Sequence, residues 1–459
     1  MRRFLSAIAW AAATAMAANG VPSAAVAQTP TFNDLAYAEA PLDEGGTATL
    51  RMDLWRSTAE VDHAPLVMWI HGGGWQSGTY NGSPPGLAAM LEAGFAVASV
   101  QYRLSGAAIF PAQIHDVKGA ARFLRAHADE YGLDPSRFAA WGSSAGGHLT
   151  ALLATSGGVP ALEGTTGGNS EFSSRLQAAV DYFGPTNLLQ MNLDVATPPG
   201  STLDHDAATS PESRLIGFDG PGEGIGVLRC NLENPAPPFP EKAALAMLLN
   251  PINHLAADDP PMFIAHGDQD TTVPLKQSQR LADALAEREI EHVMRVVEGA
   301  GHGFGMQSGV VNAEAIAFLL AHLAQPTGDF DRDGDVDGGD LLAWQRELGA
   351  TADPAGSGAD GNVDGVVNAA DLERWQMSFG VGGNGSEASA GSGVAVPEPA
   401  SAVTWIVGAS CAGVTGLGRA PRWVAAKRGG MRKAPGPRGS WRLFDGLRGE
   451  ASPSPRPSP

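Results

Sequence analysis

The sequence predicts an α/β protein with a doubly wound, mostly parallel sheet, followed by a small all-α module built on a repeated acidic loop. Three observations predict it. Between about residues 35 and 325, short apolar runs alternate with amphipathic helical stretches, as when buried strands feed crossover helices. Inside that region Gly142-Ser143-Ser144-Ala145-Gly146 joins a strand-like run to a helix-like one. Beyond it, residues 329–380 carry two acidic units of the same internal spacing, each running into a helix.

The elements follow in order. Leu66–His71 is an apolar run suited to a fully buried strand, and Phe95–Gln101 is the next. Gln113–Tyr131 has helical periodicity and meets Gly132, a C-cap residue. Phe138–Trp141, Ala178–Phe183, Met262–His266 and Val293–Val297 supply four more strands, and Ala313–Ala324 the closing helix. Residues 192–243 break the rhythm with Pro, Gly and Asn, the mark of a surface loop or a cap over a site.

The ends differ in character. Arg2 and Arg3, the apolar stretch Phe4–Ala18 and the small residues of Ala25-Val26-Ala27 read as a signal peptide over residues 1–27, cleaved before Gln28. The alternative, a membrane anchor, meets an apolar run that is short for a span. The expected location is therefore secreted or cell-envelope. Residues 382–395 are a Gly/Ser/Ala-rich linker, and residues 429–459, with a Pro/Ser tract at their end, read as a disordered tail. A formal net charge of −19 leaves no basic excess to neutralise phosphates, which argues against nucleic acid as a partner. The two cysteines, Cys230 and Cys411, lie in unlike regions and predict no disulfide framework.

The chemistry rests on four segments. Gly142–Gly146 fits G-x-S-x-G, in which flanking glycines let a strand turn sharply into a helix and hold the Ser144 hydroxyl above the sheet. Alone it reads equally well as a Ser/Gly helix cap. His71-Gly72-Gly73-Gly74-Trp75 follows a strand directly and leaves bare backbone N–H groups. Those of Gly73, Gly74 and Ala145 could stabilise charge developing on a carbonyl oxygen. A phosphate loop is the alternative, but no Lys or Ser/Thr follows at the required spacing. A serine nucleophile needs a base, and the base an orienting acid. Gly301-His302-Gly303 and His266-Gly267-Asp268-Gln269-Asp270 each lie just past a strand, where doubly wound sheets place their sites. His302 is the candidate base, and Asp268 and Asp270 are the rival acids. The chain order Ser, Asp, His is that of α/β-hydrolases.

Residues 37–324 resemble the bacterial lipase/esterase branch of the α/β-hydrolases, in particular its feruloyl- and acetyl-esterase-like group. The resemblance is carried by H-G-G-G-W at 71–75, Y-R-L at 102–104, I-H-D-V-K at 114–118, W-G-S-S-A-G-G-H at 141–148, H-G-D-Q-D-T-T-V-P at 266–274 and G-A-G-H-G-F at 299–304. It implies that Asp270 is the acid and His302 the base of a catalytic triad with Ser144. It further implies a carboxylic ester hydrolase working through an acyl-enzyme without a catalytic cofactor. Its candidate substrates are acetyl or feruloyl esters of plant polysaccharide. His148, Asp116 and Arg103 read as packing or supporting residues.

The acidic units have calcium-loop spacing. Asp329, Asp331, Asp333, Asp337 and Asp340 fall at positions 1, 3, 5, 9 and 12, with Gly334 at 6 and the Asp335 carbonyl at 7. Asp360, Asn362, Asp364, Asn368 and Asp371 repeat the pattern, with Gly365 at 6 and the Val366 carbonyl at 7. Two Ca²⁺ ions are expected in a module spanning 327–381. Asp at position 12 and one helix per loop resemble a type I dockerin, which implies a cohesin-like docking partner. Residues 396–428, opening V-P-E-P and closing on basic residues, resemble a PEP-CTERM sorting tail, which implies processing or association at the envelope.

Two other functions fit the sequence less well. A prolyl-oligopeptidase-like peptidase sits badly with the H-G-G-G segment and with the absence of a recognisable propeller region. A non-catalytic, calcium-dependent binding or scaffold protein sits badly with an intact Ser, Asp, His and glycine set.

Overall fold

Eight strands form one sheet in the order β1-β2-β4-β3-β5-β6-β7-β8. They are β1 (Phe32–Pro41), β2 (Thr47–Trp55), β3 (Ala64–Ile70), β4 (Ala96–Val100), β5 (Leu133–Ser143), β6 (Ala178–Tyr182), β7 (Met262–Gly267) and β8 (His292–Val297). The computed structural model describes residues 28–379 apart from 59–62, 196–199, 304–308, 325–327, 332, 334, 353–357 and 362–365. The expected signal peptide, linker, sorting tail and disordered tail lie outside the described residues.

β2 pairs antiparallel with both β1 and β4, and every later pairing is parallel. These first two strands are the addition to what the sequence predicts. β1 buries only Tyr37 and Ala40 among its ten residues, so its periodicity is diluted by an exposed edge. β2 buries Leu50, Met52 and Leu54 in one layer and Trp55 in the other, so from Met52 onward it is covered on both faces.

β3 shows how the sheet is sandwiched. Leu66, Met68 and Ile70 enter one core layer, while Val67 and Trp69 enter the other. The second layer is closed by α1 (Leu87–Glu92), through Met90 and Leu91, and by α8 (Gly309–His322), through Val311, Ile316 and Leu319. The first layer is closed by α2 (Ala112–Ala126), α3 (Ala145–Thr155) and α7 (Leu275–Glu287). The helix expected over 113–131 is interrupted at His127, whose Nδ1 lies 2.8 Å from the Phe123 carbonyl, before a final turn that Gly132 ends at φ 66°.

Every residue of α3 is buried. A helix apolar all round belongs under the sheet rather than at the surface. The 192–243 insertion forms α4 (Pro211–Leu215), α5 (Ile225–Cys230) and the start of α6 (Phe239–Leu248). Leu215, Ile216, Phe218, Ile225 and Leu228 join the first core layer, so much of the insertion packs onto the domain.

The acidic repeats fold around α9 (Gly338–Glu347) and α10 (Ala369–Ser378). Phe330, Val336, Trp344, Ala359, Val367 and Trp375 make their own small core. Asp337 and Asn368 N-cap the two helices, each in a capping box closed by Asp340 or Asp371. The halves are tied reciprocally. Trp344 Nε1 donates to the Asn368 carbonyl at 2.8 Å, and Trp375 Nε1 to the Asp337 carbonyl at 2.7 Å.

Candidate active site

β5 ends in Gly142-Ser143, and the chain turns into α3 with Ser144 at φ 55°, ψ −123°. A non-glycine residue held there costs about 1–3 kcal/mol and persists only where its surroundings enforce it. They do: Ser144 N donates to the Tyr182 carbonyl at 2.8 Å, and His148 N to the Ser144 carbonyl at 2.9 Å. The flanking glycines are needed for space. A Cβ on Gly142 would stand 2.2 Å from the Gly146 carbonyl oxygen, and one on Gly146 would stand 2.0 Å from that of Ile70. Ser144 occupies the N-cap of α3, yet its side chain makes no capping hydrogen bond, so the helix-cap alternative does not describe its hydroxyl.

That hydroxyl faces a histidine. His302, after β8, places Nε2 at 3.1 Å from Ser144 Oγ and Nδ1 at 2.7 Å from Asp270 Oδ2. The edge of Phe183, itself at φ 44°, packs against the imidazole at 4.7 Å between ring centroids. Asp270 is buried. Its Oδ1 accepts from the N–H groups of Thr272 at 2.8 Å and Val273 at 2.9 Å, and His266 Nε2 lies 3.3 Å from Oδ2. Burial alone would raise its pKa, but the hydrogen bonds and charges of His266 and His302 outweigh that and hold it well below the usual carboxylate range. Asp268 points elsewhere: its Oδ1 accepts from Gly299 N at 2.7 Å. Of the two rival acids, the fold brings Asp270 to His302.

The glycine segment lies against the turn at Ser144. A Cβ on Gly72 would be 3.3 Å from Ser144 Cβ, and Gly73, Gly74 and Trp75 all have positive φ. Among the described residues no hydrogen bond engages the N–H of Gly73 or Gly74. Ala145 is the first residue of α3, where backbone donors have no partner within the helix.

Ser144, Gly73, Gly74, Ala145 and His302 line one cleft of about 790 Å³. Its far wall comes from the insertion, through Leu203, His205, Pro211 and Glu212. The sequence marks none of these four as a site residue, and it places Phe183 only at the end of a strand. Their one local signal is Ser210-Pro211-Glu212, where Ser210 caps α4 by accepting from Ser213 N at 3.1 Å. His148 is buried with Nε2 2.9 Å from the Leu249 carbonyl, and burial lowers its pKa to about 4, so the ring is neutral. Arg103 and Asp116 form a buried ion pair at 2.6 Å.

The acidic loops crowd carboxylates in the way a bound cation requires. One carboxylate oxygen each from Asp329, Asp331 and Asp333 lie within 4.8 Å of one another, as do oxygens of Asp335, Asp337 and Asp340. Burial, with the nearby Asp340 and Asp333 charges, pushes the Asp331 pKa up to about 6. Hard oxygen donors crowded at mutual cost fit a divalent cation of the calcium kind. In the second loop Asp360 and Asp371 are buried and Asn368 caps α10, while Asn362 and Asp364 lie outside the described residues.

A family model described as BD-FAE matches residues 52–285, and one described as Dockerin type I domain matches residues 327–376. "Probable carboxylic ester hydrolase LipM" of Mycobacterium tuberculosis is 30% identical over 242 residues, covering 51% of this chain and 48% of the relative. "Esterase LipQ" of the same organism is 30% identical over 291 residues, covering 61% of each. The chain thus spans less than two thirds of the length of these curated relatives. Among solved structures, a truncated carbohydrate esterase from gut microbiota superposes with a TM-score of 0.54 at 29% identity, over 64% of this chain and 99% of that one. A bifunctional GH43-CE protein of Bacteroides eggerthii gives 0.53 at 30% identity, over 64% of this chain and 35% of that one.

Proposed function

Because the chain belongs to the BD-FAE family through residues 52–285, we propose that it is a secreted serine carboxylesterase acting on short-acyl esters, with acetyl or feruloyl esters of plant polysaccharide as its substrates. The observation that carries this reading is the contact series from Ser144 Oγ to His302 Nε2 at 3.1 Å and from His302 Nδ1 to Asp270 Oδ2 at 2.7 Å.

The chemistry follows from those contacts. His302 Nε2 takes the Ser144 proton as Oγ bonds to the ester carbonyl carbon. The oxyanion so formed is stabilised by the N–H groups of Gly73, Gly74 and Ala145. Collapse breaks the C–O bond to the alcohol, which leaves with the proton from His302. Water then attacks the acyl-Ser144 ester, again giving its proton to His302, and the acid departs. Asp270 keeps the Nδ1 proton in place and offsets the charge of the imidazolium.

The reading extends to the rest of the chain. In the dockerin type I module, Ca²⁺ would be held by Asp329, Asp331, Asp333, Asp337, Asp340 and the Asp335 carbonyl, and a second ion by Asp360, Asn362, Asp364, Asn368, Asp371 and the Val366 carbonyl. Bound there, the ions would order the loops, and the module docks the enzyme to a cohesin-like partner. Residues 1–27 direct export and residues 396–428 envelope association. Among the described residues no helix is long and apolar enough to cross a membrane.

The test is hydrolysis of p-nitrophenyl acetate by the full chain and by Ser144→Ala. Loss of kcat by about 10⁴-fold or more is expected; a variant that retains most of its activity would sink the assignment.

A further inference from the structure

The cleft wall opposite the triad carries an ion pair that the acyl-transfer chemistry does not use. His205 and Glu212 are 1% and 3% exposed at their side chains, with His205 Nδ1 2.8 Å from Glu212 Oε1. Among the described residues lining the cleft, Glu212 is the sole carboxylate and no Lys or Arg is present. Its second oxygen, Oε2, is buried without a protein hydrogen-bond partner. A buried carboxylate oxygen left bare is costly, and such groups call for an explanation.

The surroundings fix where that oxygen stands. Pro211, beside Glu212, abuts the glycine segment: a Cβ on Gly74 would lie 3.3 Å from Pro211 Cβ. His205 belongs to a stretch held against the loop that orients Asp270, since Thr202 N donates to the Thr271 carbonyl at 2.8 Å. The pair therefore stands between the oxyanion segment and the acid loop, on the side from which a bound ester would meet the insertion. His205 fixes one carboxylate oxygen, and Glu212 lines the cleft with the other left without a protein partner.

We propose that Glu212 is a specificity-determining residue whose Oε2 accepts a hydrogen bond from a hydroxyl on the alcohol side of the ester, selecting esters of polyols such as sugar units over esters of simple alcohols. This rests on the esterase reading of the same cleft. An acetyl group brings no hydroxyl, so for acetyl esters the donor must belong to the alcohol. A site built to bind a substrate hydroxyl discriminates strongly against an analogue lacking it, because its own polar group is then left unpaired. His205 acts as a positioning residue for the carboxylate.

The experiment compares kcat/KM of the full chain on a mono-acetylated methyl xyloside, on its analogue lacking the neighbouring hydroxyl, and on p-nitrophenyl acetate. Wild type is expected to lose about tenfold or more on the deoxy analogue. Glu212→Ala, which removes both carboxylate oxygens and offers the hydroxyl neither donor nor acceptor, is expected to lose at least about tenfold more on the xyloside than on the aryl ester. It is also expected to stop distinguishing the two xylosides. Equal losses on xyloside and aryl ester would mean that the pair only braces the insertion, and would overturn the proposal. Should the variant fail to fold, the wild-type comparison decides alone, since indifference to the missing hydroxyl overturns the proposal without touching the esterase reading. A wild type inert toward p-nitrophenyl acetate and both xylosides overturns both.

Discussion

His302 Nδ1 meets Asp270 Oδ2 at 2.7 Å, while the other oxygen of the same carboxylate accepts from the backbone of Thr272 and Val273. One carboxylate thus faces the imidazole with a fixed oxygen and is itself fixed by the turn that follows it. Both its rotamer and its ionisation are set by the fold, the preorganisation that the proposed mechanism asks of an acid orienting a base.

Asp270→Asn is expected to lower kcat of p-nitrophenyl acetate hydrolysis by about 10³–10⁴-fold, because the amide no longer holds the proton on Nδ1. Stability carries a second signature. The Asp270 pKa is depressed in the fold, so its contribution is fully present above the unfolded carboxylate value, about 3.9, and is lost as pH falls from there toward the folded value. Urea unfolding across acidic pH is expected to show a flatter acid limb for the variant, and superimposable limbs would contradict the assignment.

Asp181 has the opposite sign. It is fully buried on β6, with Oδ1 accepting from Gly184 N at 2.9 Å and Oδ2 lacking a protein partner. Burial, only partly offset by that hydrogen bond, raises its pKa to about 7. The folded chain then keeps a proton that the unfolded chain releases above about pH 4, so this group makes stability fall as pH rises toward 7, by up to about 1.4 kcal/mol per pH unit. Asp181→Asn is expected to remove that slope. Equal pH dependence of wild type and variant in denaturant titrations would show that Asp181 ionises normally.

What was legible in the sequence was what is local. Gly142–Gly146 and His71–Trp75 announce themselves because tight turns demand glycine at fixed positions, and the acidic loops because an ion's shell is supplied within twelve residues. β1 and β2 were not legible: β1 is hidden by its exposed edge, and in β2 the alternation of Leu50, Met52 and Leu54 is blurred by Asp53 and Trp55, which are buried as well. Asp181 sits inside Ala-Ala-Val-Asp-Tyr, whose apolar run marks the strand without marking the charge. His205 and Glu212 were not legible. They lie in an irregular segment with no period, and their place in the cleft is decided by how the insertion packs.

Calcium is expected to stabilise the 327–379 region selectively. A ligand bound only by the folded state adds about 4 kcal/mol per site at 1,000 times its Kd. Calorimetry of the full chain with saturating Ca²⁺ and then with chelator is expected to move one small transition, with ester hydrolysis retained. Asp331→Ala is expected to remove one of two sites in a calcium titration. An unmoved melting profile and no heat of binding would refute the site.

The turn at Ser144 gives the sharpest steric prediction. A methyl at Gly146 would meet the Ile70 carbonyl oxygen at 2.0 Å and that of His71 at 2.6 Å. Both atoms are backbone at the end of a central strand, so neither can swing aside as a flexible side chain would. Relief has to come from moving α3, which carries Ser144 and Ala145 at its N-terminus. Gly146→Ala is therefore expected to destabilise by about 1–3 kcal/mol and to lower kcat by about 100-fold or more, since a shift near 1 Å in a reacting group has that effect. Gly106 serves as the control, because nothing lies within 4 Å of its Cβ position; Gly106→Ala is expected to stay within about 1 kcal/mol of wild type. If Gly146→Ala matched the control in both melting temperature and turnover, close packing behind the turn would not be what holds the serine in place.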